Sequence, residues 1–233
     1  MSRKGRLLVA GGILVVVLVA IGGTATYLLR SHQAPAALAL SSPAPIGSPS
    51  ALAGTWTVTS GSEVGYRVRE QFINQPGPTE AVARTTKVAG SLQVQGPDSA
   101  LKATGHVTAD LSALVSQDKY ANYQVYQRDF FIRKIYLETD RYPNAEFTAA
   151  SVAIPPGIES SPVSVTVAGT LKVHGVTKAV TAQLQAQRTV TGIEIAGSIN
   201  VDMRDFNVEV PSISFTRAEP GVVIEYHLLL VRA

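Results

Sequence analysis

Cysteine is absent from all 233 residues. Its absence excludes disulfides, thiolate metal sites, a cysteine nucleophile and an N-terminal lipid-modified cysteine. Acidic residues are absent from the first 53 positions, so all 17 lie between Gly54 and Ala233. Arg3, Lys4, Arg6 and Arg30 account for four of the 20 Lys and Arg, which leaves 16 in that same stretch and a net charge near −1. The whole-chain charge of +3 thus comes from the N-terminus. No basic face remains to motivate nucleic-acid binding. Signatures of catalysis are missing too: there is no H-E-x-x-H, G-x-S-x-G, P-loop or G-x-G-x-x-G. The four histidines, His32, His106, His174 and His227, have no second His at helical metal-ligand spacing and fall in the tether or on separate expected strands and turns. No metal, cofactor or catalysis is expected, although a triad assembled from distant Ser, His and Asp stays open.

Charge is also missing from Leu7 to Leu29, a run of 23 residues. A helix of that length reaches roughly 35 Å, enough to cross a hydrocarbon core of ~30 Å. Three basic residues precede the run and only Arg30 follows closely, which orients the N-terminus toward the cytoplasm. Residues 1–6 therefore read as a cytoplasmic basic end and 7–29 as a single-pass transmembrane signal-anchor. The rest of the chain is expected to be extracytoplasmic. The alternative is secretion after cleavage, but a signal peptide's apolar region usually spans only ~7–15 residues. Residues 30–53, rich in Ala, Pro and Ser, read as a tether with no structural role of its own. In polyproline II geometry its reach is at most roughly 70 Å.

From Gly54 onward the dominant pattern is strict alternation, the mark of half-buried antiparallel strands. Val88, Gly90, Leu92 and Val94 share one side of a strand; Leu101, Ala103, Gly105, Val107 and Ala109 share another. Val163, Val165, Val167, Gly169, Leu171 and Val173 form a third such side, and Ile193, Ile195, Gly197, Ile199, Val201 and Met203 a fourth. Further strands are expected at Thr55–Ser60, Glu63–Phe72, Glu146–Ile154, Val176–Val190 and Val222–Arg232. So many short strands must close into a barrel or pack as a sandwich. Gly90, Gly105, Gly169 and Gly197 interrupt apolar sides, where glycine either lets the sheet bend or leaves volume for a ligand. Ser116–Leu137 has no Gly or Pro and carries apolar residues at helical spacing, so a helix is expected, broken near Arg128-Asp129.

His174-Gly175 marks a parity switch. Odd positions are apolar up to Val173, and even positions are apolar from Val176. A two-residue hairpin loop requires that switch. The pair therefore reads as a turn rather than a ligand or catalyst. Asp202, Arg204, Asp205 and Glu209 read as a solvated rim.

Four segments then resemble one family, the YceI family of polyisoprenoid-binding, lipocalin-like proteins. They are GTWTVTSGSEVGYRV from Gly54, RDFFIRKIYLETDRYPNAEFTAASV from Arg128, LKVHGVTKAV from Leu171 and RDFNVEV from Arg204. Arg128, Asp129, Arg133, Tyr142, Pro143 and Phe147 fall in register with the second motif. Phe131 stands where the family has His, Ile132 where it has Leu, and Asn207 where it has Gly. The loop Asn74–Arg84 resembles the family less. The resemblance covers residues 54–233 and implies an extended antiparallel lipocalin-like β-barrel with one helical segment. Its apolar tunnel would hold an isoprenoid or similar long-chain lipid. Candidate lining residues are Val88, Leu92, Val107, Val167, Leu171, Ile195, Ile199 and Val201, with Phe130, Phe131 and Phe147 near the helix. The alternatives are a partner-binding β-domain with a filled core and a hydrolase or isomerase acting on a lipid. A homodimer stays open.

Overall fold

The computed structural model describes residues 32–41, 51–73, 75–120 and 125–233. The expected transmembrane segment, 7–29, lies outside the described residues. Among those described, no helix is long and apolar enough to cross a membrane.

Eight antiparallel strands close a barrel. In chain order they are β1 (Gly54–Val58), β4 (Val88–Gln95), β5 (Lys102–Asp110), β6 (Asn144–Ala153), β7 (Val163–Val173), β8 (Val176–Arg188), β9 (Gly192–Asp202) and β10 (Thr216–Arg232). Around the ring the order is β9-β8-β7-β6-β5-β4-β1-β10, and β10 returns to β9 along Gly221–Val231. β2 (Glu63–Phe72) and β3 (Thr79–Thr85) extend one end of the barrel. β10 pairs with β1 at Leu230–Arg232 and with β2 from Thr216 to His227, so β1 and β2 occupy the same side of it in succession. Its register shifts between Ala218 and Val222, where Glu219-Pro220-Gly221 intervenes. Proline has no N–H for the ladder, and a bulge is where a barrel strand tolerates one.

The β7–β8 hairpin turns at His174 (φ 51) and Gly175 (φ 76), with Val173 opposite Val176. Both turn residues have positive φ, as this two-residue turn requires. The His174 ring packs edge-on against Tyr142 at 4.6 Å between centroids. It is a turn-locking contact. Asn207 also has positive φ (57), at the end of the short helix Met203–Phe206. That is why Asn serves at a position where the resembled family has Gly.

Three elements differ from expectation. First, the helix is shorter: α1 spans Val125–Phe131 and continues as a π-helical turn, Ile132–Tyr136. Val115–Ser116 instead pairs with β3, and the Asp118 carboxylate accepts the Val82 N–H at 3.0 Å. That sheet edge takes residues that helical periodicity alone assigns to the helix. Second, the stretch Asn74–Arg84 contains most of β3. Ala81, Val82 and Ala83 are all buried, so a strand covered on both faces shows no alternation to read.

Third, part of the expected tether docks on the outer wall. His32-Gln33 pairs with Lys119-Tyr120. Pro35 O accepts from Arg67 at 2.8 Å and Ala36 O from Arg84 at 2.6 Å. Leu38 N–H donates to Glu225 at 3.4 Å, and Ser41 donates to Glu194 from both N–H (2.8 Å) and Oγ (2.5 Å). Glu194 and Glu225 are on outward-facing positions yet buried, because this strap covers them. Burying a carboxylate is costly unless it is paired. Arg67 and Arg84 pair Glu225, and Gln187 and His227 complete Glu194 at 2.7 and 2.5 Å. The strap has no charged side chains of its own and offers backbone groups and one hydroxyl.

Candidate functional site

The barrel interior is incompletely filled. Two cavities lie end to end and share Val64, Ala109, Ala145 and Ile224 in their walls. The far chamber, of about 170 Å³, lies toward Leu52, Ile154, Pro155 and Ile158. The helix-side chamber, of about 470 Å³, lies under Phe131–Leu137 and the segment Val208–Pro211. Both volumes far exceed the ~10–15 Å³ that admits one water molecule. A lumen of this size is not a packed core.

Of the candidate residues, Leu92, Val107, Phe147, Val167, Leu171, Ile195 and Ile199 line the far chamber, and Phe131 lines the helix-side one. Val88 and Val201 pack into the surrounding apolar clusters without lining either cavity. Phe130 is exposed and also lines neither. Parity assigned the correct face to Val88 and Val201, but their strands bring them beside the walls instead of into a chamber.

Three of the four interrupting glycines, Gly90, Gly169 and Gly197, work through the backbone, whereas Gly105 borders the far chamber. A Cβ on Gly169 would stand 2.5 Å from Thr148 O, and one on Gly197 would stand 2.1 Å from Gln183 O. Neighbouring strands approach closely there, as a tightly curved barrel needs. The lumen space over these two positions is taken by rings: Phe147 lies 2.7 Å from the first and the Tyr226 hydroxyl 2.7 Å from the second.

The two chambers differ chemically. The far chamber has no charged residue in its wall. The helix-side chamber is also largely apolar but includes Tyr66, Glu70 and Arg128. Arg128, from α1, binds Glu70 Oε1 at 3.2 Å, Ser116 Oγ at 2.7 Å and the Asp118 carboxylate. Ser116 in turn donates to Asp129, from N–H at 3.1 Å and from Oγ at 2.5 Å. Burial pushes the Glu70 carboxyl up to about 7, against the opposing pull of Arg128. Burial likewise raises the Tyr66 phenol well above its ordinary range. Burial alone would favour a neutral Arg128; its bonds to Asp118 and the neighbouring carboxylates outweigh this and keep it cationic. Arg128 Nε is buried with no hydrogen-bond partner. Sequence reading missed Tyr66 and Glu70, which sit on β2 at ordinary strand positions. The only signal was Arg128-Asp129 in the second family-like motif.

No group of three or more His, Asp or Glu side chains is placed to hold a metal ion among the described residues. A closed strand-built container with an apolar lumen and one ionic corner is therefore the class of protein defined here. Residues 56–228 match the YceI-like domain, and the chain belongs to that family. Among solved structures it is similar to a polyisoprenoid binding domain from Saccharophagus degradans implicated in plant cell wall breakdown. The identity is 16% and the TM-score 0.57, covering 76% of this chain and 98% of that one. It is also similar to Burkholderia cenocepacia BcnA, at 19% identity and TM-score 0.50, covering 72% of this chain and 94% of that one. These likenesses establish a shared barrel fold. No curated protein matches the sequence.

Proposed function

We propose that this protein binds or carries an isoprenoid or similar long-chain lipid in the barrel lumen, without catalysing its conversion. Residues 7–29 would anchor it in the membrane, with the barrel extracytoplasmic. The observation that carries the reading is the pair of abutting apolar chambers. Each methylene transferred from water to such a wall contributes about 0.8 kcal/mol, before the cost of ordering the chain is subtracted. The far chamber suits the tail end, since nothing charged borders it. The Tyr66–Glu70–Arg128 corner suits a hydroxyl or carbonyl at the other end. The unpartnered Arg128 Nε is a donor available for it. The filled-core alternative has no support from a lumen this large.

The test is to purify the chain from residue 30 onward, strap included, extract it with organic solvent and analyse the extract by mass spectrometry. A prenyl or other long-chain lipid near one per barrel is expected. A clean extract together with no uptake of prenyl alcohols or quinones would sink the proposal.

A further inference from the structure

Exposed apolar side chains are unevenly placed on the barrel. Ile73, Phe130, Phe131, Ile135, Ile213 and Phe215 are 44–71% exposed. All six gather at the helix-side end. Phe131, Ile135 and Ile213 belong to the wall of the helix-side chamber. Phe130 adjoins Phe131 edge-on at 5.7 Å. Phe215 stacks on Phe72 at 6.4 Å, and its carbonyl accepts the Ile73 N–H at 3.1 Å. At the opposite end, Val190 and Val231 are the large apolar side chains left exposed among the described residues. Near the helix-side mouth Arg69 pairs with Glu219 and Lys134 with Asp140. An apolar patch with a polar rim marks an interaction surface.

The course of the strap identifies what covers this patch. Its first described residues, His32-Gln33, pair with Lys119-Tyr120. Asp118, just before that pair, binds Arg128 of α1, the helix that carries Phe130 and Phe131. From there the strap leads away from this mouth, past Arg67 and Arg84 to Glu225 and then Glu194. Beyond it, Ala51 and Ala53 accept from Arg232 at the far end. The chain thus reaches the barrel at the helix-side mouth. Leu29, the last residue of the uncharged run, precedes His32 by three positions. Three residues span at most roughly 11 Å even when fully extended. A bilayer-spanning segment ending there leaves the mouth no room to stand away from the bilayer. The strap also lies outside the residues that match the family, 56–228.

We infer that the helix-side mouth sits on the bilayer surface, with its exposed Phe and Ile side chains in the boundary between headgroups and acyl chains. Lipid then passes between membrane and lumen without crossing bulk water. This orientation rests on the reading of residues 7–29 as an anchor and of the lumen as a lipid site. It adds which end faces the membrane. Aromatic and branched side chains are suited to that boundary, and a contact made by apolar area depends little on the charges that salt screens.

Because the chain lacks cysteine, single labels can be introduced anywhere. The full chain carrying Phe131→Cys or Phe215→Cys, labelled with a bimane, is reconstituted into phosphatidylcholine vesicles whose acyl chains carry bromine. Asp98→Cys and Glu159→Cys report the far end. The rim labels are expected to be quenched several-fold more than the far-end labels, at low and high salt alike. Equal quenching at both ends, or stronger quenching at the far end, overturns the orientation. So do rim-to-rim disulfide dimers of the same variants left unlabelled, which would assign the patch to a second copy. Failure to co-float with vesicles overturns the anchor reading and the orientation with it. In every case the lipid extract is scored separately, so the container reading stands or falls on its own result. As a functional readout, the double variant Ile73→Ser with Phe215→Ser should take up a fluorescent prenyl alcohol from donor vesicles several-fold more slowly, at unchanged final occupancy. An unchanged uptake rate also counts against the mouth's role.

Discussion

The far chamber and the helix-side chamber share Val64, Ala109, Ala145 and Ile224 but carry different chemistry. One is bounded by aliphatic strand residues and a covering of Leu52, Pro155 and Ile158. The other is larger and has a buried ionic corner held by Arg128. The far chamber is an extension of the core, whose walls owe their stability to packing. The helix-side chamber is a place where packing has been given up for charge. Buried ion pairs seldom stabilise more than an apolar replacement would, but losing one partner is severe. The ionic corner is therefore better explained by what it positions, α1 and the segment Ser116–Asp118 over the mouth, than by net stability.

The sharpest way to break the contrast is Arg128→Ala. It strands Glu70 and Asp118 as buried carboxylates and should cost about 3–5 kcal/mol in urea unfolding. A loss below about 1 kcal/mol would mean that the corner is solvated. Ile199→Ala in the far chamber should cost about 2–3 kcal/mol, low in the usual range for this truncation, because the side chain already borders empty space on one side. It should leave lipid uptake intact, which the extract measures.

pH sharpens the comparison further. Glu70 titrates near 7 in the fold against an ordinary 4.5, so the native state holds its proton more tightly than the unfolded chain does. The stability from this group is fully present below about pH 4.5 and is lost as pH rises through 7. Glu70→Gln should abolish that loss, on the order of 1–2 kcal/mol between pH 5 and 7.5. Identical slopes for both proteins would refute the assignment. On the outer wall the sign reverses. Burial acts to raise Glu194, but bonds from Ser41, Gln187 and His227 outweigh it and hold the carboxyl down to about 2. Its contribution is present above about pH 4.5 and is lost as pH falls toward 2. Glu194→Gln should flatten the acid limb of the unfolding midpoint. The effect should be the smaller of the two, since the strap can release without unfolding the barrel. Protease sensitivity at Pro35–Ser41 on acidification checks the release directly.

Much of the barrel was legible in the sequence, for reasons particular to certain residues. Val163 to Val173 alternates over a whole strand, and the parity switch at His174-Gly175 located the β7–β8 turn, since positive φ at two successive positions leaves little choice of residue. Six of the far-chamber residues, Leu92, Val107, Val167, Leu171, Ile195 and Ile199, followed from the same alternation. β3 was not legible, because Ala81–Ala83 is buried on both faces and shows no period. Ser116–Asp118 was misassigned to the helix, because apolar spacing does not reveal that Asp118 is needed by Val82 and Arg128.

Composition and pattern determined that the chain is β-built, apolar on one side of each strand, and free of thiol chemistry and the common catalytic motifs. These are properties of single segments, set by side-chain chemistry and the two-residue period of a strand. Only the tertiary structure decided that the lumen is two chambers, that Tyr66, Glu70 and Arg128 converge from β2 and α1, and that residues 34–41 bury Glu194 and Glu225 from outside. Those facts depend on contacts between residues that stand up to 187 positions apart. No local period encodes which distant group will cover a carboxylate.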